Sequence, residues 1–342
     1  MTYSEKPKLH ERQKVYKKGN LRSVVFDITP RCNMSCPHCS AAPFNCVEPI
    51  PLEGLKGPCE ELYKMGVYHY ILAGGEPIVD FVRLEAIISM IHPDESFIVV
   101  LSNGWGMTPE KIHRLKELKV DKICYSLDSG IGEEHDKNRR NGAYKKVLEA
   151  VDNTLKEGLL ASVAIVATHD NIYSKGFKEA YKYCKKKKIR LQVDIATPVG
   201  KWEGRRDILI TPEDAVYLKQ LSINSPIISD GKKLVKRDLF GEFGDCCRAG
   251  TEGISITCDG NVLPCNFLQF TLGKLGEKSI KEMREALLTS KWFDGKHTTC
   301  LAGENKEFQE KFMLPYTGKP KPLNAHKIFG LKNIKQESSE KL

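Results

Sequence analysis

Hydrophobic and polar positions alternate along this chain in two recurring patterns. Residues 23–28 (SVVFDI), 69–74 (HYILAG), 97–102 (FIVVLS), 122–128 (KICYSLD), 161–168 (ASVAIVAT) and 190–196 (RLQVDIA) are short apolar, β-branched runs. Between them lie segments with apolar residues three and four apart, the period of an amphipathic helix. Residues 52–65 form one such segment, stopped by Gly66. Residues 80–92 place Phe81, Leu84, Ile88 and Ile91 on one face. A third opens with Thr108 as N-cap and Pro109 in the first turn, and carries Ile112, Leu115 and Leu118. The fourth aligns Tyr144, Val147, Leu148, Val151 and Leu155 before Gly158, and the fifth spans 174–187. Continuous apolar strands alternating with helices predict a parallel sheet covered by helices, of about six βα units.

Such sheets carry their chemistry at the carboxyl ends of the strands. After the first strand come three cysteines (Cys32, Cys36, Cys39). After the second comes AGGEP (73–77), after the third SNG (102–104), and the fourth ends in SLDS (126–129). Polar and glycine-rich residues collect at every one of these ends, which a purely structural sheet does not require.

Composition narrows the class. The chain has 342 residues, 41% hydrophobic and 28% charged, as in ordinary globular proteins. The N-terminus lacks the apolar stretch of a signal peptide and no run is long enough for a membrane span, so a cytoplasmic protein with no membrane partner is expected. Of the net charge of +9, residues 1–20 and 315–342 each carry six Lys/Arg against two acids, so the two ends hold eight. The body is near neutral, which argues against a nucleic-acid partner. The Lys run 185–188 falls at a helix end, where cations suit the helix dipole.

Twelve cysteines in a reducing compartment point to metal or redox chemistry rather than disulfides. Cys124 and Cys184 sit in apolar patterns and read as buried core residues, while Cys46 and Cys59 are scattered. The spacing Cys32-x3-Cys36-x2-Cys39 supplies three thiols, where structural zinc asks for four ligands. His38 is too close in sequence to complete the same tetrahedron. Three thiolates suit a four-iron cluster with one iron left open for a substrate or cofactor.

CNMSCPHC resembles the signature of the radical S-adenosylmethionine (SAM) enzymes, and the likeness extends over residues 23–196. It implies a partial (βα)6 TIM-like barrel, an α/β fold in which Cys32, Cys36 and Cys39 hold a catalytic [4Fe–4S] cluster. It further implies that His38, the GGEP segment (Gly74, Gly75, Glu76, Pro77), Ser102, Asn103, Ser126 and Asp128 contact SAM. Residues 135–144 (HDKNRRNGAY) resemble a later segment of many members, which gives Arg139 or Arg140 to the SAM carboxylate, Arg139 being the better candidate. The implied reaction is one-electron cleavage of SAM to a 5′-deoxyadenosyl radical that abstracts hydrogen from a peptide or small-molecule substrate. A flavodoxin- or ferredoxin-type reductant would supply the electron. The alternative is a non-catalytic iron–sulfur or zinc protein acting in electron transfer.

A second cysteine group, Cys246, Cys247, Cys258 and Cys265 with Cys300 beyond, surrounds a hairpin with Asp259-Gly260 at its turn. Cys247-x12-Gly260-x4-Cys265 resembles the opening of the SPASM/twitch extension, an α+β hairpin-plus-helix unit binding auxiliary clusters. Only Cys300 follows, so one auxiliary [4Fe–4S] cluster is implied, on Cys247, Cys265 and Cys300, with Cys246, Cys258 or no cysteine as fourth ligand. Zinc on the same thiols is the competing assignment.

The expected organisation is a basic tail (1–20), the barrel core (21–200), a linker and helix (201–240), the cluster extension (241–314) and a second basic tail (315–342). About 22 residues precede the first strand, too few for a leader-binding domain there. Trp202, Arg205 and Arg206 lie near the expected open side, either to receive an anionic substrate or as a solvated linker.

Overall fold

The computed structural model describes residues 6–223 and 247–331. Six βα units follow the predicted order. The strands are β1 (Ser23–Thr29), β2 (His69–Gly74), β3 (Phe97–Ser102), β4 (Lys122–Ser126), β5 (Leu160–Ala167) and β6 (Arg190–Ile195). All five contacts between them are parallel, from Ser23 opposite His69 to Ser162 opposite Arg190. The sheet is an open arc, with β6 at one edge. Strand residues alternate between faces. Val24, Phe26 and Ile28 are fully buried under the helices, whereas Asp27 between them is half-buried on the inner face. Tyr70 and Leu72, Ile98 and Val100, Ile123 and Tyr125 repeat the outer pattern. Each buried Val, Leu or Ile contributes roughly 1.5–3 kcal/mol, so this shell is what sets the register.

Thr108 caps its helix as predicted, and the structure adds Ser174 as the cap of the fifth. Thr108 accepts from the Lys111 N–H at 3.4 Å, and Ser174 from Phe177 at 3.0 Å. Gly66 and Gly158 close the helices before them with positive φ, and the Lys run ends a helix at Lys188 in a left-handed cap.

The C-terminal hairpin does more than append to this arc. Its first strand, β7 (Gly253–Ile256), lies parallel to β1 with Ser23 opposite Gly253, and β8 (Val262–Leu263) returns antiparallel to it. The sheet therefore runs to eight strands, in the order β6-β5-β4-β3-β2-β1-β7-β8. Gly260, at φ +86°, makes the turn as Asp259-Gly260 predicts. A capping box of Ser279 and Glu282 starts the helix Ile280–Leu288.

Both expected tails are docked where described. A helix, Pro7–Val15, packs on the body. Lys6 before it is buried, and its Nζ donates to Asp121 Oδ2, Ser96 O and Lys119 O at 2.7–2.8 Å. Arg12 donates to the Tyr63 and Val67 carbonyls. At the other end Leu323–Asn324 pairs with Phe270–Thr271, and Phe329 packs edge-to-face with Phe270 and Phe293 and tilted against Phe312. Among the described residues no helix is long and apolar enough to cross a membrane.

Candidate active site

The three-cysteine loop leaves the carboxyl end of β1 and is held from several directions. From β2, Gly75 N–H donates to Thr29 O and Glu76 N–H to Arg31 O, both at 2.8 Å. This contact needs glycine: a Cβ on Gly75 would lie 2.2 Å from Arg31 O, and Gly74 sits at φ +121°. From the loop after β6, Lys201 N–H donates to Cys39 O at 3.0 Å, and a Cβ on Gly200 would lie 2.1 Å from that oxygen. From the C-terminal segment, Gln269 Nε2 donates to Ser40 O at 2.8 Å. Cys32 is exposed, Cys39 half-buried and Cys36 buried, all three as free thiols.

Glu76 lies behind the loop. Its buried carboxylate accepts from Ser102 Oγ at 2.9 Å, Asn103 N–H at 2.7 Å and, more weakly, Ile78 N–H at 3.4 Å. Burial pushes this carboxyl up to about 7, against those hydrogen bonds. Ser102, expected to face the cofactor, spends its proton on Glu76 and accepts from Gly104 N–H, so it shapes the loop. Asn103 Nδ2 reaches Asn33 of the cysteine loop at 2.7 Å. Pro77 is buried at the start of a short turn, and Ser126 ends β4 opposite Ala164.

After β4, Asp128 meets Arg139. Nε and Nη2 of the guanidinium donate to the two carboxylate oxygens at 2.7 and 2.6 Å, and Nη1 donates to Cys36 Sγ at 3.5 Å. Burial raises the Asp128 carboxyl, but Arg139 outweighs it and holds it at about 2. Arg140 turns away to place its guanidinium 4.3 Å from the Trp105 ring. The structure thus brings Arg139, not Arg140, to the cysteines. His38 stands 3.6 Å from Asp128 with Nε2 buried and without a hydrogen-bond partner. Burial lowers it to about 4, against the pull of Asp128, so the ring is neutral near pH 7. Its ring lies 5.5 Å from that of Trp202. His38, Asp128, Asn138, Thr168, Asn171 and Trp202 wall a cleft of about 190 Å³.

Arg205 and Arg206 do not face this cleft as free cations. Arg205 pairs with Asp207, and Arg206 with Glu310 at 3.0 Å, which weakens the anionic-substrate reading of both. Sequence patterns missed Asn33, Gly200, Lys201 and Gln269. Gly200-Lys201 directly after the sixth strand was the one available signal.

In the C-terminal segment, Gly250 N–H donates to Pro264 O at 2.9 Å, and Cys247 N–H to His297 O at 2.6 Å. These bonds tie Cys247 to the segment just before Cys300, and the nearby Gly250 to the residue before Cys265. Cys300 Sγ accepts from Gly303 N–H at 3.4 Å, and the Cys265 thiol donates to Asn266 Oδ1 at 3.3 Å. Cys258 is buried at the opposite end of the hairpin, beside Asp27 and Asp259. That position removes it as a fourth ligand. Cys246 lies outside the described residues. Among the described residues no three His, Cys, Asp or Glu side chains converge as around a single metal ion. A four-iron cube does not ask for that convergence, since each thiolate takes its own corner.

Residues 26–184 match the profile of the radical SAM superfamily, and residues 246–310 that of an iron–sulfur cluster-binding domain, SPASM. The chain is 24% identical over 339 residues to the AdoMet-dependent heme synthase of Nitratidesulfovibrio vulgaris, covering 90% of this chain and 86% of that one. It is 23% identical over 305 residues to the PqqA peptide cyclase of Ruegeria pomeroyi, covering 80% and 74%. The fold is that of native anSMEcpe with bound AdoMet, at TM-score 0.58 and 19% identity over 77% of this chain and 80% of that one. It is also that of Streptococcus suis SuiB bound to the precursor peptide SuiA, at TM-score 0.59 and 16% identity over 84% and 68%.

Proposed function

Because the chain belongs to the radical SAM superfamily and carries a SPASM iron–sulfur domain, we propose that Cys32, Cys36 and Cys39 hold its SAM-binding [4Fe–4S] cluster. The supporting observation is the fit at Cys36. A buried thiol touches the bidentate Arg139–Asp128 pair, and Asp128 lines a cleft together with His38, whose buried Nε2 has no hydrogen-bond partner. When bound, the cluster supplies the electron that cleaves SAM to a 5′-deoxyadenosyl radical able to take hydrogen from an unactivated C–H position.

The protein's own residues bind and orient. Gly74, Gly75 and Glu76 hold the loop, and the strand-end backbone there receives the SAM amine. Three of the five Arg139 N–H groups are engaged, leaving one on each η nitrogen for the SAM carboxylate. His38 and Trp202 offer ring faces to the nucleoside. Lys201 Nζ donates to Ser35 Oγ at 2.8 Å, an exposed contact that ties the loop after β6 to the cysteine loop. Cys247, Cys265 and Cys300 hold the auxiliary cluster, whose role is electron transfer or substrate ligation. The substrate is a peptide or a small molecule, as the names of the relatives divide between the two. A flavodoxin- or ferredoxin-type protein supplies the electron.

The test is anaerobic incubation of the reconstituted chain with SAM and dithionite. Formation of 5′-deoxyadenosine that is lost in Cys36→Ala supports the assignment. Equal product from both proteins would remove it.

A further inference from the structure

Arg139 divides its donors between unlike partners. Two bonds fix it in the plane of Asp128, and the third points at Cys36 Sγ, 3.5 Å away. The guanidinium cannot swing from the sulfur without breaking the bidentate pair. Asp128 is anchored in turn, its backbone N–H donating to His135 Nδ1 at 3.1 Å. Of the three loop cysteines Cys36 is the buried one, so a charge beside it is poorly screened. Arg140 delivers no such charge, since it stacks on Trp105.

We propose that Arg139, clamped by Asp128, sets the reduction potential of the cluster through its N–H···S contact with Cys36. The proposal rests on the cluster assignment above. Hydrogen bonds to ligand sulfurs and nearby positive charge stabilise the cluster state that has gained an electron. Arg139 therefore makes the cluster easier to reduce, and the Asp128 carboxylate tempers that effect. Arg139 is in this respect a positioning residue that acts through Cys36, in addition to any contact with SAM.

The experiment is a redox titration of the full chain, reconstituted with iron and sulfide and followed by electron paramagnetic resonance without SAM. The signal followed is the one whose shape changes when SAM is added to a parallel sample, which separates it from the auxiliary cluster. Arg139→Gln should be harder to reduce by about tenfold, about 59 mV for one electron. Arg140→Gln should titrate as wild type. A merely structural role would lower iron content or Tm and leave the loaded fraction at the wild-type potential. A wild-type potential in loaded Arg139→Gln would overturn the proposal. If Arg139→Gln takes up no cluster, Arg139→Lys decides, since it keeps the charge but loses the planar fork that reaches Cys36: a potential below wild type supports the proposal and an unchanged one overturns it. A wild-type sample with no SAM-responsive signal would overturn the cluster assignment itself, and the proposal with it.

Discussion

The Glu76 carboxylate accepts a 2.7 Å hydrogen bond from the backbone N–H of Asn103, joining the end of β2 to the loop after β3. Ser102 adds a second bond to the same carboxylate, and Asn103 passes the connection on to Asn33 of the cysteine loop. Removing the carboxylate strands buried donors, each at about 1–3 kcal/mol. Glu76→Ala should therefore lower stability by about 2–4 kcal/mol, and Glu76→Gln by less, in urea unfolding of the apo chain.

The same carboxyl makes a pH prediction. Its pKa is raised from 4.5 to about 7 in the folded state, so the folded protein binds more protons than the unfolded chain between those values. Stability contributed by the protonated form is complete below about 4.5 and is lost as pH rises through about 7. Wild type should therefore lose up to about 3 kcal/mol relative to Glu76→Gln between pH 5 and pH 8. A stability difference independent of pH would contradict the buried, proton-binding Glu76.

Gly75→Ala tests how tightly the loop is tied to β2. The new Cβ falls 2.2 Å from a backbone oxygen, which cannot rotate aside. The expected cost is about 1–3 kcal/mol from the overpacking, with lower iron content after reconstitution. Gly57→Ala, where nothing lies within 4 Å of the new Cβ, should load as wild type.

The N-terminal segment carries its own prediction. Lys6 and Asp121 form a fully buried ion pair at 2.7 Å. Removing one partner of such a pair leaves an uncompensated charge and costs about 3–5 kcal/mol. Lys6→Ala should lower Tm accordingly, whereas Arg206→Ala, at an exposed pair, should cost under about 1 kcal/mol. Equal effects from the two would mean that the segment does not dock.

Much of this was legible in the chain. The outward-facing residues of β1–β6 carry a periodicity that local sequence reveals, and the cap Thr108 marks its helix directly. The cysteine spacing and GGEP identify the site because their chemistry is local. The rest depends on long-range partners. Nothing in GISI says that it pairs with Ser23–Phe26 far earlier in the chain. Lys6 reads as one more cation of a basic tail until Asp121 is beside it. Arg206 reads as either a binding cation or part of a solvated linker until Glu310, far along the chain, pairs with it. Cys258 reads as a ligand candidate until the hairpin carries it away from Cys247 and Cys265.

The central claim is that the loop Cys32–Cys36–Cys39 holds a SAM-cleaving cluster and the C-terminal cysteines a second one. The most direct measurement counts iron and sulfide per chain after anaerobic reconstitution and assays 5′-deoxyadenosine in the same sample with SAM and dithionite. The account predicts about eight irons per chain, two four-iron clusters, with 5′-deoxyadenosine formed. About four irons with the product formed would remove the auxiliary cluster. A fully loaded sample that forms no 5′-deoxyadenosine would contradict the account.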